Sequence, residues 1–314
     1  MKIFIEIPTW LGDAVMATPA IENIVKNYPK CELIIFGSFV STKLFLNHPN
    51  VKKIIIDNSK SSGNRYLNLF KLAKSVEQVD MAFSFRKNFT TNFLLFFINT
   101  KQKFIYQRYT KDQIHQVIRY NDFINKSLTI DTTPDDLKIY LNQDIIKSEK
   151  RLLGINPGAT YGSAKRWYPE EFAKVAIKLS YEYDIVIFGG PGEVDIAADI
   201  EDEIKAAGVL NYTNLAGTTT IPELIENIAS LDLFITGDSG PMHVAAAFKI
   251  PTISIFGPTK DIETSQWNNL DGKIVKKDFD CAPCMKRVCP LNDNRNHQCM
   301  KAITAQDILE TINK

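Results

Sequence analysis

Leu233-Phe234-Ile235-Thr236-Gly237-Asp238-Ser239-Gly240-Pro241-Met242-His243-Val244-Ala245-Ala246-Ala247 is the stretch on which the fold turns. Four apolar or β-branched residues make a short buried strand, Gly-Asp-Ser-Gly makes a turn, and a helix follows at once. Pro241 within this stretch has no N–H to offer a ligand. A buried strand leading directly into a helix is half of a βαβ unit, the connection that parallel strands require. Outward from it the unit recurs. Upstream in the same half, strands are expected at residues 152–158 and 184–190, with helices at 169–181 and 221–230. The quoted helix is expected over 242–248, and a further strand over 252–257. The first half shows the same alternation, with strands at 3–7, 33–37, 53–57 and 81–84 and helices at 15–26 and 67–75. A polar stretch, 131–150, separates the halves, and 137–141 reads as one more strand. The expectation is an α/β protein of two parallel-sheet domains, 1–147 and 148–314. The length of 314 residues suits two domains of about 150 residues.

The formal net charge is +1, which offers no global attraction for nucleic acid. The charge is uneven, however. Residues 1–150 carry 21 Lys and Arg against 14 Asp and Glu, and the remainder carries 16 against 22. A basic first half points to a negatively charged partner on that side, or to no more than uneven solvated faces. The opening Met1-Lys2-Ile3-Phe4-Ile5-Glu6-Ile7 contains an acid and runs into Pro8, so it reads as a buried strand and not as a secretory signal. The apolar run at 93–98 is far short of the ~20 residues that a spanning helix needs. Both features point to the cytoplasm.

Ligands of open α/β sheets bind beyond the carboxyl ends of the strands, so the polar residues just after strands are the informative ones. Four such places stand out. Pro8-Thr9-Trp10-Leu11-Gly12-Asp13 carries one glycine, not the G-x-G-x-x-G of dinucleotide sites. Asp13 at a helix start is either an N-cap or a reacting carboxylate. Asn156-Pro157-Gly158-Ala159-Thr160-Tyr161-Gly162-Ser163-Ala164-Lys165-Arg166 is a loop of small residues ending in two cations, fit for an anion or merely solvated. Gly189-Gly190-Pro191-Gly192-Glu193 is a tight turn, or a ribose site in which Glu193 accepts from hydroxyls. In Gly237-Asp238-Ser239-Gly240-Pro241-Met242-His243, the N–H groups of Ser239, Gly240 and Met242 are candidate diphosphate donors at a helix start. His243 is either a donor or a packed ring.

Taken together, Gly12-Asp13…Thr18-Pro19, Pro157-Gly158…Lys165-Arg166-Trp167 and Gly237-Asp238-Ser239-Gly240…His243 resemble, in order and spacing, glycosyltransferase family 9, the ADP-heptose:lipopolysaccharide heptosyltransferases. Within the family, Cys281-Ala282-Pro283-Cys284-Met285-Lys286-Arg287-Val288-Cys289-Pro290-Leu291 resembles the second heptosyltransferases more than the first. The resemblance implies GT-B architecture, two Rossmann-like domains facing across a cleft. The first would bind acceptor and the second ADP-L-glycero-β-D-manno-heptose. It also implies that the final helix, 305–313, crosses back to the first domain, as in many GT-B enzymes. By motif position Asp13 is the general base and Lys165 holds donor phosphate. Glu193 meets ribose, and Asp238, Ser239, Gly240, Met242 and His243 form the donor-sugar and diphosphate loop. Thr160 and Thr219 complete the donor set, Thr219 under the adenine.

The implied reaction is inverting transfer of heptose to the first heptose of the Kdo-lipid A core, in lipopolysaccharide or lipooligosaccharide assembly. The acceptor is anionic, and Arg65, Arg86, Lys87, Arg108, Lys111 and Arg119 are candidates to meet it. The enzyme is expected at the inner leaflet, peripherally attached. No D-x-D pair is evident to hold a metal on the diphosphate, so no metal or other cofactor is expected. Two alternatives stay open. One is a GT-B enzyme with a different sugar or acceptor, including a first-heptosyltransferase type. The other is a non-catalytic nucleotide-binding module. Cys281, Cys284, Cys289 and Cys299, with His297 nearby, invite zinc, a disulfide or packed free thiols. The segment is expected to be a structural loop outside catalysis.

Overall fold

The computed structural model describes residues 1–61, 63–145 and 147–312. The chain divides into two compact units, Met1–Asn142 and Gln143–Lys314, so the division falls five residues before the expected one.

The first unit is built on a parallel sheet of β1 (Lys2–Glu6), β2 (Glu32–Gly37), β3 (Val51–Ile56), β4 (Met81–Ser84) and β5 (Gln102–Ile105), in the order β3-β2-β1-β4-β5. The central strand β1 is buried on both faces, as the unbroken apolar run Ile3-Phe4-Ile5 requires. The helix expected from residue 15 begins earlier and is broken in two, Leu11–Met16 and Thr18–Asn27. The break falls at Ala17, two residues before Pro19, which lacks the N–H needed to continue the first helix. Helices Arg65–Lys74, Phe89–Phe97 and Gln116–Leu128 also belong to this unit. Residues 137–141 form no strand. Leu137 and Ile139 are buried, but the segment lies along the helix Thr18–Asn27, with the Lys138 N–H donating to Thr18 Oγ1 at 2.9 Å and the Tyr140 hydroxyl to Glu22 at 3.2 Å.

The second unit holds β6 (Arg151–Asn156), β7 (Tyr183–Ile187), β8 (Tyr212–Asn214), β9 (Leu233–Gly237), β10 (Thr252–Ile255) and β11 (Gly272–Val275), in the order β11-β10-β9-β6-β7-β8 and all parallel. Read from β8, this is the 3-2-1-4-5-6 order of the dinucleotide-binding folds. Trp167, 2% exposed, anchors its core and donates its ring N–H to Ile303 O at 2.9 Å. The final helix is Ala305–Ile312. It packs on the helix Pro169–Leu179 and on β10 and β11 of its own unit, with Ile308 fully buried. Its apolar stripe has a partner there, which the sequence did not reveal. Asn313, the last residue of the expected helix, lies outside the described residues.

In each sheet the strand order reverses beside the central strand, between β1 and β4 in one and between β6 and β9 in the other. The splayed connections at such a reversal leave a crevice at the strands' carboxyl ends. The loops singled out in the sequence after β1, β6 and β9 all start there.

Candidate functional site

At the reversal in the second sheet, Asn156 ends β6 and Thr236, next to the last residue of β9, is its register partner. The Asn156 amide donates to Thr236 Oγ1 at 3.2 Å, which ties the two loops together at their roots. Lys165 and Asp238 then meet. The ammonium lies 2.6 Å from Asp238 Oδ2 and donates to the Asp238 carbonyl at 3.0 Å. Their side chains are only 12% and 9% exposed. The sequence placed a phosphate cation on one loop and an unexplained acid on the other, and the structure joins them as an ion pair. Lys165 also stands over the Tyr161 ring, 5.0 Å from its centroid, with Arg287 at the same distance.

Ser239 caps the helix Gly240–Ala247, its Oγ accepting from the Met242 N–H at 3.4 Å and lying 2.9 Å from Thr236 Oγ1. One of the three expected diphosphate donors, the Met242 N–H, is therefore engaged by the cap. Gly240 is half-buried at the first turn. His243 is 3% exposed, so its ring is set into the fold. Arg166 holds a buried Nε for which no hydrogen-bond partner exists among the described residues.

Glu193 is 9% exposed, and its Oε2 accepts the Gly190 N–H at 2.8 Å. Its carboxyl lies against Gly158, where a Cβ would come within 2.0 Å of it. Only glycine at 158 permits that contact between the loops after β6 and β7. Glu193 thus closes its own turn with one oxygen, and the ribose role would fall to the other. Thr160 is exposed, and Thr219 is half-buried immediately before the Thr220 cap of the helix Ile221–Ser230.

The cysteine segment braces the Lys165 loop from behind. Ala164 N–H donates to Arg287 O at 3.0 Å, and the Tyr161 hydroxyl to Met285 O at 3.1 Å. His297 Nε2 lies 2.9 Å from Ala164 O, and its Nδ1 lies 2.8 Å from the Tyr168 hydroxyl. A carbonyl only accepts, so Nε2 carries the proton and Nδ1 accepts from Tyr168. Both ring nitrogens are engaged, which removes His297 from a metal set as it stands. The four cysteines line one cavity of about 50 Å³ and all are free. Among the described residues no three His, Cys, Asp or Glu side chains converge as a metal-holding group. Cys299 is buried, Cys284 and Cys289 are half-buried and Cys281 is exposed, so packing accounts for Cys299 but not for Cys281. Burial, with the neighbouring thiols, pushes the Cys299 thiol up to about 11.

In the first unit Asp13 is the third residue of the helix Leu11–Met16. The N-cap position belongs to Trp10, and Asp13 is an acid in the first turn of the helix. It lies close to the helix Gln116–Leu128, where burial and then the Asp13 charge push the Tyr120 phenol well above its ordinary value. The six candidate acceptor cations divide. Arg108 donates to the carbonyls of Thr110, Lys111 and Asp112, and Arg119, 6% exposed, donates to the Asp112 carbonyl. These two shape the loop that Lys111 exposes. Arg65 reaches Thr90 Oγ1 at 3.5 Å, and Arg86 pairs with Glu6 at 3.1 Å. Lys87 beside it is exposed. The sequence reading missed Glu6, whose signal is an acid at the end of an otherwise apolar central strand.

Residues 70–294 match the family model described as Glycosyltransferase family 9 (heptosyltransferase). The chain belongs to this family. It is therefore a glycosyltransferase. It is 43% identical to the lipooligosaccharide heptosyltransferase 2 of Campylobacter jejuni serotype O:6, across 100% of this chain and 99% of that protein. It is 29% identical to the Haemophilus influenzae protein of the same name, over 88% and 91%. Among solved structures, the E. coli ADP-heptose lps heptosyltransferase II superposes with a TM-score of 0.79 at 23% identity, covering 100% of this chain and 98% of that one. A family 9 glycosyltransferase from Veillonella parvula gives 0.83 at 19% identity, covering 99% and 96%. These two likenesses bear on the fold, a pair of parallel-sheet α/β domains.

Proposed function

We propose that the chain transfers heptose from ADP-L-glycero-β-D-manno-heptose to the first heptose of the Kdo-lipid A core, with inversion, in lipooligosaccharide assembly. The observation that carries this is the pairing of family motifs with the two sheet reversals, Asp13 in one unit and Lys165–Asp238 in the other. The names of the relatives, lipooligosaccharide heptosyltransferase 2 above all, support heptose and this acceptor.

In the reaction an acceptor hydroxyl attacks the anomeric carbon from the face opposite ADP. The new C–O bond forms as the C–O bond to the β-phosphate breaks, and the electron pair leaves with ADP. Asp13 takes the hydroxyl proton, help that is typically worth ~10²–10⁴-fold. Negative charge grows on the departing diphosphate. Lys165, the largely buried cation that joins the donor loops, faces that charge in this reading, and the start of the helix Gly240–Ala247 adds its dipole. Cations and a dipole supply what a divalent ion would, and the reaction is taken as metal-independent on that ground. Asp238 keeps Lys165 desolvated and fixed before the donor arrives, then yields it in part to phosphate.

The acceptor is an anionic lipid, and the enzyme meets it at the inner leaflet from the cytoplasm. No helix among the described residues is long and apolar enough to cross a membrane. The excess of Lys and Arg in residues 1–150 supports attachment through the acceptor. Proton NMR of the product tests the stereochemistry. A single displacement turns the β donor into an α-linked heptose, and a β-linked product would overturn it.

A further inference from the structure

Glu6 ends β1, the central strand of the first sheet, and is 2% exposed. A carboxylate taken out of water there needs compensation. Arg86 Nη1 stands 3.1 Å from Oε1, and the Ser84 hydroxyl donates to Oε2 at 2.6 Å. Ser84 is the register partner of Glu6 on β4, and its Oγ accepts the Arg86 N–H at 3.0 Å. One buried anion therefore fixes the guanidinium directly and, through Ser84, the backbone that carries it.

Stability is a poor reason for this arrangement. Apolar side chains of similar volume do as well as a buried ion pair, or better. The pair is also asymmetric. The Glu6 side chain is 2% exposed and the Arg86 side chain 18%, so the anion lies at the bottom and the cation opens outward. It sits at the carboxyl edge of β1 and β4, where the strand order reverses and where the chain leaves β1 for Asp13. Arg65 approaches the same end of the unit through Thr90, at the start of the helix Phe89–Phe97. Burial raises the Glu6 carboxyl above its ordinary value against the opposing pull of Arg86, as expected of a charge kept where solvation is lost.

We propose that Glu6 is a positioning residue, a buried counter-charge that holds the Arg86 guanidinium toward an acidic group of the acceptor, carboxylate or phosphate. This rests on the acceptor reading given above. Guanidinium presents five donors in a rigid fork. With one nitrogen held by Glu6, the rest of the fork is oriented for a bidentate contact with an anion. A lysine has no such fork and cannot bridge both partners in fixed geometry.

The test is steady-state kinetics of the full-length enzyme with ADP-heptose and heptosylated Kdo-lipid A, on Arg86→Gln, Arg86→Lys, Glu6→Gln and the Glu6→Gln/Arg86→Gln pair, with melting temperatures alongside. Arg86→Gln is expected to raise the acceptor KM by about tenfold or more, with the donor KM unmoved, and Arg86→Lys to fail as a rescue. Glu6→Gln, which keeps size and the Ser84 contact, is expected to raise the acceptor KM severalfold. The double variant is expected to be no worse than Arg86→Gln alone, since Glu6 acts through Arg86. If Glu6→Gln fails to fold, Arg86→Gln and Arg86→Lys still decide whether the guanidinium meets the acceptor. A lowered melting temperature with an unchanged acceptor KM would overturn the proposal and leave a purely structural ion pair. An additive double variant would overturn it too. A wild-type enzyme that transfers nothing to this acceptor would remove the acceptor reading itself, and this proposal with it. Repeating the series on dephosphorylated acceptor separates the two anions. An Arg86 effect that vanishes assigns phosphate, and one that persists assigns carboxylate.

Discussion

Replacing Lys165 by alanine removes the cation proposed to face the diphosphate and strands the anion now paired with it. The ammonium stands 2.6 Å from Asp238 Oδ2, with both side chains about nine-tenths buried. A hydrogen bond to a charged group contributes about 1.5–3 kcal/mol, and ~1.4 kcal/mol is a factor of ten in affinity. Loss of the phosphate contact should therefore weaken ADP binding by about 10- to 150-fold. A second effect adds to it. Without Lys165 the Asp238 carboxylate is left poorly solvated beside an incoming dianion, and like charges repel. Asp238→Asn in the same chain removes that repulsion, so the double variant should bind ADP more tightly than Lys165→Ala alone. Isothermal titration calorimetry with ADP at fixed ionic strength measures both. Wild-type affinity in Lys165→Ala would refute the phosphate role. A double variant no better than the single would refute the stranded-charge argument while leaving the phosphate contact in place.

Asp13→Asn should lower kcat by ~10²–10⁴-fold, the usual worth of a general base, while leaving ADP affinity unchanged. Near-full turnover by that variant would strike Asp13 from the mechanism. Thiol chemistry should follow burial. Iodoacetamide in native buffer at pH 8 should label exposed Cys281 first, with Cys299 and Cys31 protected until unfolding, because burial raises both thiols and holds Cys299 near 11. Peptide mapping by mass spectrometry reads the order, and equal labelling of Cys299 and Cys281 would contradict the packing described.

The interior of both sheets could be read from the sequence because strands buried on both faces are continuous apolar runs, as at residues 3–5, 33–36 and 233–235. The edges could not. β5, β8 and β11 are short and partly exposed, so they show neither an apolar run nor clean alternation. The helix Phe89–Phe97 is apolar on most of its surface and gives no stripe with a 3.6-residue period. Residues 137–141 misled for the opposite reason. Alternate burial reports a wall on one side, and that wall is a helix, not a neighbouring strand. At the site, loop positions were legible because small residues and charges follow strands. Partnerships were not, since Lys165 meets Asp238 and Glu6 meets Arg86 across 73 and 80 residues of chain. No local pattern encodes such a pairing. The capping of the Met242 N–H was hidden for a similar reason. Whether a helix-start N–H is open to a ligand depends on the cap, and Ser239 takes it.

The most direct measurement is mass spectrometry of the products formed by the purified chain from ADP-heptose and a mono-heptosylated Kdo-lipid A. The account predicts that the acceptor gains the mass of one heptosyl residue, with release of an equal amount of ADP. An unchanged acceptor, or transfer from another nucleotide sugar in preference to ADP-heptose, would contradict it.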